Sequence, residues 1–195
     1  DDVFCLELVS VDFERSTVRK RKKDSECFEI ETACLRPCAR AGDITKNSDK
    51  AYVMIYPYTE DGEDLQESKI KESFPRTYQY LLSNKSRLLE RDKGKCEKKG
   101  YKWYQFGRKQ GLNLTEKEKI LFASMTKEKM AMQYCGKGVS FVSGYCIIPK
   151  SGFTLKQINE VFSSADVGNW ISIFGKNFGT EWVGVSKETF KHFKV

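Results

Sequence analysis

The 195-residue chain has one histidine, four prolines, no Cys-x-x-Cys pair and no apolar run near the length that spans a bilayer. Each shortage excludes something. The single histidine, His192, lies in a lysine-rich tail, which leaves a Ser-His-Asp triad almost nothing to build on. Seven cysteines, at 5, 27, 34, 38, 96, 135 and 146, have neither the paired spacing nor the histidine partners of tetrahedral zinc. Their odd number and apolar settings, such as Phe4-Cys5-Leu6, point to reduced, mostly buried thiols in a cytoplasmic protein. Without about 18 consecutive apolar residues no membrane helix is written here. Every Gly-Lys pair (94–95, 136–137, 175–176) lacks the earlier glycine of a phosphate loop, and Gly136-x-Gly138 does not continue to a dinucleotide fingerprint.

What is present is charge and aromatic surface. Aromatics make up 13% and charged residues 31% of a chain carrying net charge +7, a composition of folded rather than disordered protein. Residues 1–75 hold 12 Lys/Arg against 17 Asp/Glu, net −5, and residues 76–195 hold 22 against 10, net +12. Such asymmetry suits a second part that faces a polyanion. An opening Asp in place of Met, with apolar residues from Val3, is expected of a domain cut from a longer polypeptide.

The pattern predicts a single α+β domain over 1–195, with mixed or antiparallel sheet and several short helices. Residues 3–13 read as a strand, and 26–35 as a second strand or short helix. The run Arg19-Lys20-Arg21-Lys22-Lys23 reads as a solvated hairpin loop, with phosphate contact the alternative. YVMIYPY at 52–58 is a compact apolar run. Apolar residues at helical spacing predict one helix over 75–91, capped by Ser73 with Pro75 in its first turn. Arg76, Asn84, Arg87 and Arg91 form its opposite stripe. A charged loop, 92–102, leads to Trp103-Tyr104-Gln105-Phe106-Gly107-Arg108-Lys109-Gln110-Gly111. There Trp103 and Phe106 suit a buried turn, while Arg108, Lys109 and Gln110 resist burial. A capped turn at Thr115 and Glu118 precedes a strand at 119–126. Residues 130–149 read as a strand, a glycine turn and a hairpin. Helices follow at 154–164 and 166–174, then a glycine-aromatic-basic loop at 175–182, and a short helix and strand at 186–195.

Two catalytic chemistries leave traces to weigh. A metal-dependent nuclease needs clustered carboxylates with a lysine. Asp61, Asp64, Glu67 and Lys69, or Asp92, Glu97 and Lys99, match that loosely. Amino-group DNA methyl transfer needs an Asn/Asp-Pro-Pro-Tyr/Phe loop. The prolines at 37, 57, 75 and 149 are never adjacent, so this chain has no such loop.

The motifs Tyr56-Pro57-Tyr58, Pro75-x-x-Tyr78-x-Tyr80-Leu81 running to Leu88-x-x-Arg91, and Trp103-Tyr104-x-x-Gly107-Arg108-x-Gln110 occur in that order. Downstream lie Lys119-Ile120, the Gly136-Lys137-Gly138 turn and Gly144-Tyr145-Cys146-Ile147-Ile148-Pro149. In these the chain resembles the TaqI-like C-terminal specificity domain of adenine-specific DNA methyltransferases and type II restriction-modification enzymes. The tail departs from the pattern at Glu160, which follows Asn159 where a small residue is usual. The resemblance implies a target-recognition fold that reads a short duplex sequence while the target adenine is flipped out. It places the catalytic methyltransferase domain, its S-adenosylmethionine and any fused endonuclease elsewhere in the parent chain, so the fragment itself has no catalytic, cofactor or metal residues. The partners it implies are double-stranded DNA and that catalytic domain, with no membrane. The DNA contacts it implies are Arg108, Lys109 and Gln110, then Lys137, then Lys176, Asn177 and Lys187, with Arg87 and Arg91 on phosphates. A metal-dependent nuclease fragment and a protein-interaction domain are the competing readings.

Overall fold

The computed structural model describes residues 3–21, 26–44, 46, 48–107, 111–127 and 129–194. In chain order the strands are β1 (Cys5–Val11), β2 (Arg15–Arg19), β3 (Cys27–Glu31), β4 (Leu35–Arg40), β5 (Tyr52–Ile55), β6 (Lys119–Phe122), β7 (Met125–Thr126), β8 (Met132–Cys135), β9 (Ser140–Val142), β10 (Tyr145–Ile147), β11 (Lys176–Asn177) and β12 (Val183–Gly184). The α-helices are α1 (Ala41–Ile44), α2 (Glu67–Ser73), α3 (Pro75–Ser83), α4 (Lys85–Leu89), α5 (Leu155–Phe162) and α6 (Ala165–Phe174). The protein is α+β, and its chain divides into two compact units: Asp1–Cys38 with Lys50–Thr115, and Ala39–Asp49 with Glu116–Val195. No helix among the described residues is long and apolar enough to cross a membrane.

In the first unit an antiparallel sheet runs β3-β2-β1-β5-β4. Alternation sends Ser16, Val18 and Ile30 inward. Helices α2 to α4 contribute Ile70, Leu81 and Leu88, all fully buried, each worth roughly 1.5–3 kcal/mol relative to exposure. Tyr56 and Tyr58, either side of Pro57, are buried. The Phe106 ring stands edge-on to Phe4 at 5.1 Å and tilted on Tyr58 at 5.0 Å.

The predicted helix over 75–91 is two helices. They part at Asn84, whose backbone leaves the helical region (φ −107°, ψ 8°). The buried Asn84 side chain accepts from Lys20 Nζ at 2.7 Å and donates to the Tyr80 carbonyl at 2.7 Å. Ser73 does not cap this segment, because it is the last residue of α2. Glu31 on β3 caps α3 instead, accepting from the Arg76 and Thr77 amides, each at 2.8 Å, and from the Thr77 hydroxyl at 2.7 Å. The basic run after β2 is also partly used internally: Arg19 bonds Glu7 and Lys20 bonds Asn84. Lys22 and Lys23 lie outside the described residues.

The second unit is centred on β6, buried along its whole length, in an antiparallel sheet ordered β10-β6-β8. Alternate β6 residues feed two clusters. Leu121 packs with Ala39, Ala41, Ala123 and Cys135, and Phe122 packs with Met130, Val167, Ile171 and Val185. The expected hairpin over 139–149 does not form as such, since β10 pairs with β6 rather than with β9. The capping box lies not at Thr115, which ends a 3-10 turn, but at Thr154 and Gln157, where α5 begins. Helix α6 is capped by Ser164. After β12 the described tail has a 3-10 turn, Glu188–Phe190, in place of a helix and strand.

Candidate nucleic-acid interface

The second unit carries a small antiparallel sheet, β11-β12-β7, made of three two-residue strands. Lys176 pairs with Gly184, and Gly184 with Met125, so these three share one face. The glycine matters. A Cβ at Gly184 would stand 2.9 Å from the Phe178 ring and 3.4 Å from the Lys176 Cβ, so the bare strand is what lets Phe178 lie across it. Phe178 is 49% exposed and Met125 40%, while Trp182, two residues before Gly184, is half-buried. Each ring carries a cation: Lys176 Nζ is 5.2 Å from the Phe178 centroid and Lys127 Nζ 5.1 Å from that of Trp182. Lys127 also pairs with Glu181. An exposed and a half-buried aromatic ring, each with a lysine over it, form the arrangement on which unpaired nucleic-acid bases stack while the cations follow phosphates.

In the first unit the charged loop 92–102 is held rigidly. Cys96 is buried and its thiol donates to the carbonyls of Leu88 and Arg91, each at 3.5 Å. Asp92 accepts from the Tyr101 hydroxyl and, at 2.6 Å, from Lys99. Burial and the neighbouring Asp92 push the Tyr101 phenol up, which keeps it a donor. Asp92, Lys93 and Gly94 all take left-handed backbone (φ 53°, 59° and 72°), a tight reversal that leaves Lys93, Lys95, Lys98 and Lys102 exposed.

The implied contact residues fall as follows. Arg108, Lys109 and Gln110 lie outside the described residues. Arg87 is exposed on α4. Arg91 turns inward: its Nε, Nη1 and Nη2 donate to the carbonyls of Leu88, Gln105 and Trp103 at 2.9, 2.8 and 2.6 Å. Its guanidinium also lies 5.3 Å from the Phe4 and Tyr101 ring centroids. Burial lowers its pKa, yet an arginine stays protonated. Of the stripe it was to share, Asn84 is buried as well, while Arg76, paired with Glu29 at 2.8 Å, and Arg87 stay exposed. Lys137 is exposed in the turn after β8, and Lys187 is exposed just before the last 3-10 turn. Lys176 sits on the cation-aromatic face. Asn177, the next residue of the strand, faces the other way, and its Oδ1 accepts from the Gly179 amide at 2.8 Å, shaping the turn. Arg87 and Arg91 belong to the first unit, and Lys137, Lys176, Asn177 and Lys187 to the second.

Lys127, Trp182 and Gly184 are functional candidates that sequence reasoning did not single out. The segment 175–182 stood out for its mix of glycine, aromatics and lysine. Nothing local ties it to Lys127, because that link is a strand pairing across more than fifty residues.

Two of the carboxylates suited to a nuclease, Glu67 and Asp92, hold side-chain partners in the fold. Glu67 accepts from the Tyr78 hydroxyl at 3.1 Å and the Trp103 indole at 3.3 Å, and Asp92 is held as above. Among the described residues no group of three His, Cys, Asp or Glu side chains is placed to hold a metal ion. The chain matches no model of a known protein family, and no curated protein matches it.

Proposed function

We propose that this chain is the DNA-binding specificity domain of an adenine-specific methyltransferase from a restriction-modification system. It reads a short duplex sequence on behalf of a catalytic domain, using S-adenosylmethionine, that forms another part of the parent protein. The observation that carries this reading is the face of β11-β12-β7, where Lys127 overlies the half-buried ring of Trp182 and Lys176 the exposed ring of Phe178. Aromatic surface normally seeks cover; here each ring carries a cation placed to follow the phosphates of a duplex, and the rings themselves can stack only a base that has left the helix. The rigid lysine loop 93–102 supports it, as does the order of motifs from Tyr56-Pro57-Tyr58 to Gly144-Tyr145. Phosphate contacts would supply affinity, and side chains such as Lys137, Lys187, Arg108 and Gln110 the choice of bases.

The test is selection of duplexes from a randomised pool by the full chain, followed by anisotropy titration of the winners across a salt series. The expected result is a short shared motif and a binding constant that falls steeply with salt. A pool that stays random, or the absence of salt-sensitive duplex binding, overturns the proposal.

A further inference from the structure

Behind the cation-aromatic face lies a cavity of about 380 Å³ whose lining includes Ala41, Ala123, Ser124, Met125, Ser143, Gly144 and Trp182. Trp182 and Met125 belong to both the cavity wall and the face, so a strand following Lys127 and Lys176 passes the cavity mouth. Among the described residues no charged side chain lines it, which gives a phosphate no partner there. Its described lining is small apart from the Met125 side chain and the Trp182 indole, and it includes glycine backbone and the hydroxyls of Ser124 and Ser143, the latter donating to the Val142 carbonyl and still able to accept. That chemistry fits a flat ring with hydrogen-bonding groups on its rim. The volume is at the small end of ligand pockets, which run roughly 300–1,000 Å³, and so suits one base rather than two.

The wall is built rather than incidental. Ser143 and Gly144 both take left-handed backbone (φ 62° and 72°), a conformation unusual for serine. Gly144 is locked there, since a Cβ would lie 2.4 Å from both the Ala41 Cβ and the Phe122 carbonyl oxygen. Resting on the nucleic-acid reading above, we infer that this cavity receives a single unpaired, extrahelical nucleobase, stacked against Trp182, while the strand on either side is held by the lysines of the sheet face. A base inside a matched duplex is stacked and paired and cannot enter.

The experiment compares anisotropy titrations of the full chain with a matched duplex and with the same duplex carrying one bulged base. The wild type is expected to bind the bulged duplex roughly tenfold more tightly, the scale of one base stacked on an aromatic ring. Ser124→Phe fills the cavity and is expected to erase that preference while matched-duplex affinity stays within about twofold; Ser124→Ala, which removes a rim hydroxyl but leaves the space, is expected to lower the preference by only about twofold. Gly42→Leu fills the cavity from another lining position, where an added Cβ meets nothing within 4 Å, and serves if Ser124→Phe does not fold. Equal affinity for bulged and matched duplex, or a preference that survives both filling variants, overturns the base slot and leaves the proposed function standing. Absence of binding to either duplex overturns the proposed function and the slot with it.

Discussion

The Glu31 carboxylate, on the edge strand β3, holds Thr77 at both its amide and its hydroxyl, at 2.8 and 2.7 Å, and so supplies α3 with the cap its own preceding residues lack. Burial works against the charged carboxylate, but the bonds from Thr77 and the Arg76 amide outweigh it and hold the Glu31 pKa below its ordinary value. A depressed carboxylate pKa contributes stability that is complete above the unfolded value, about 4.3, and lost as pH falls through the folded one. Glu31→Ala is therefore expected to cost roughly 1–2 kcal/mol at neutral pH and to flatten the acid limb of the stability curve. Urea unfolding from pH 7 down to pH 3 measures both.

Arg91 ties the end of α4 to the Trp103–Gln105 turn by three carbonyl bonds. Arg91→Met leaves those carbonyls without their donors, and about 3 kcal/mol of lost stability is expected. Arg91→Lys recovers little, because one ammonium cannot reproduce the guanidinium fork. Arg87→Ala, on the exposed side of the same helix, is expected to change stability by under about 0.5 kcal/mol. Thermal melts of the three variants separate the inward arginine from the outward one.

Two glycines of the second unit divide stability from binding. At Gly144 an added methyl meets a backbone oxygen and Ala41 Cβ at 2.4 Å, on a backbone with positive φ, so Gly144→Ala is expected to lose roughly 2–4 kcal/mol. At Gly184 the methyl meets the outer edge of the movable Phe178 ring at 2.9 Å. Gly184→Ala is expected to fold with a loss under about 1 kcal/mol and to weaken bulged-duplex binding severalfold by moving that ring. Denaturation and anisotropy on the same two proteins check the division.

Lys127→Ala and Lys176→Ala each remove one cation from the sheet face. Each is expected to lower the slope of log K against log salt by about one and to weaken all duplex sequences about equally. A salt slope unchanged in both would take the face out of the interface.

The α+β class, both C-terminal helices and the buried Trp103 were legible because they rest on local period and composition. The breaks fell where a distant residue decides. Pro75 and the apolar spacing read as one helix, yet Asn84 splits it by turning its side chain to Lys20. Arg91 looks solvent-facing in a helical wheel, and only the return of the 103–105 turn shows that its partners are carbonyls. The aromatic-basic segment 175–182 was visible, but Lys127 joins it through a pairing of two-residue strands too short to leave a period.

The order of the chain also sets when each part can be finished. Ala39 and Ala41 belong to a cluster completed by Leu121, Ala123 and Cys135, so during synthesis they remain uncovered until some eighty further residues have emerged. At about 5–20 residues per second that is a wait of several seconds. All the strands of the first unit's sheet are made before β6 exists. Slow decoding between 115 and 135 would lengthen the exposure of Ala39 and Ala41, a window in which a chaperone or a protease can capture the nascent chain.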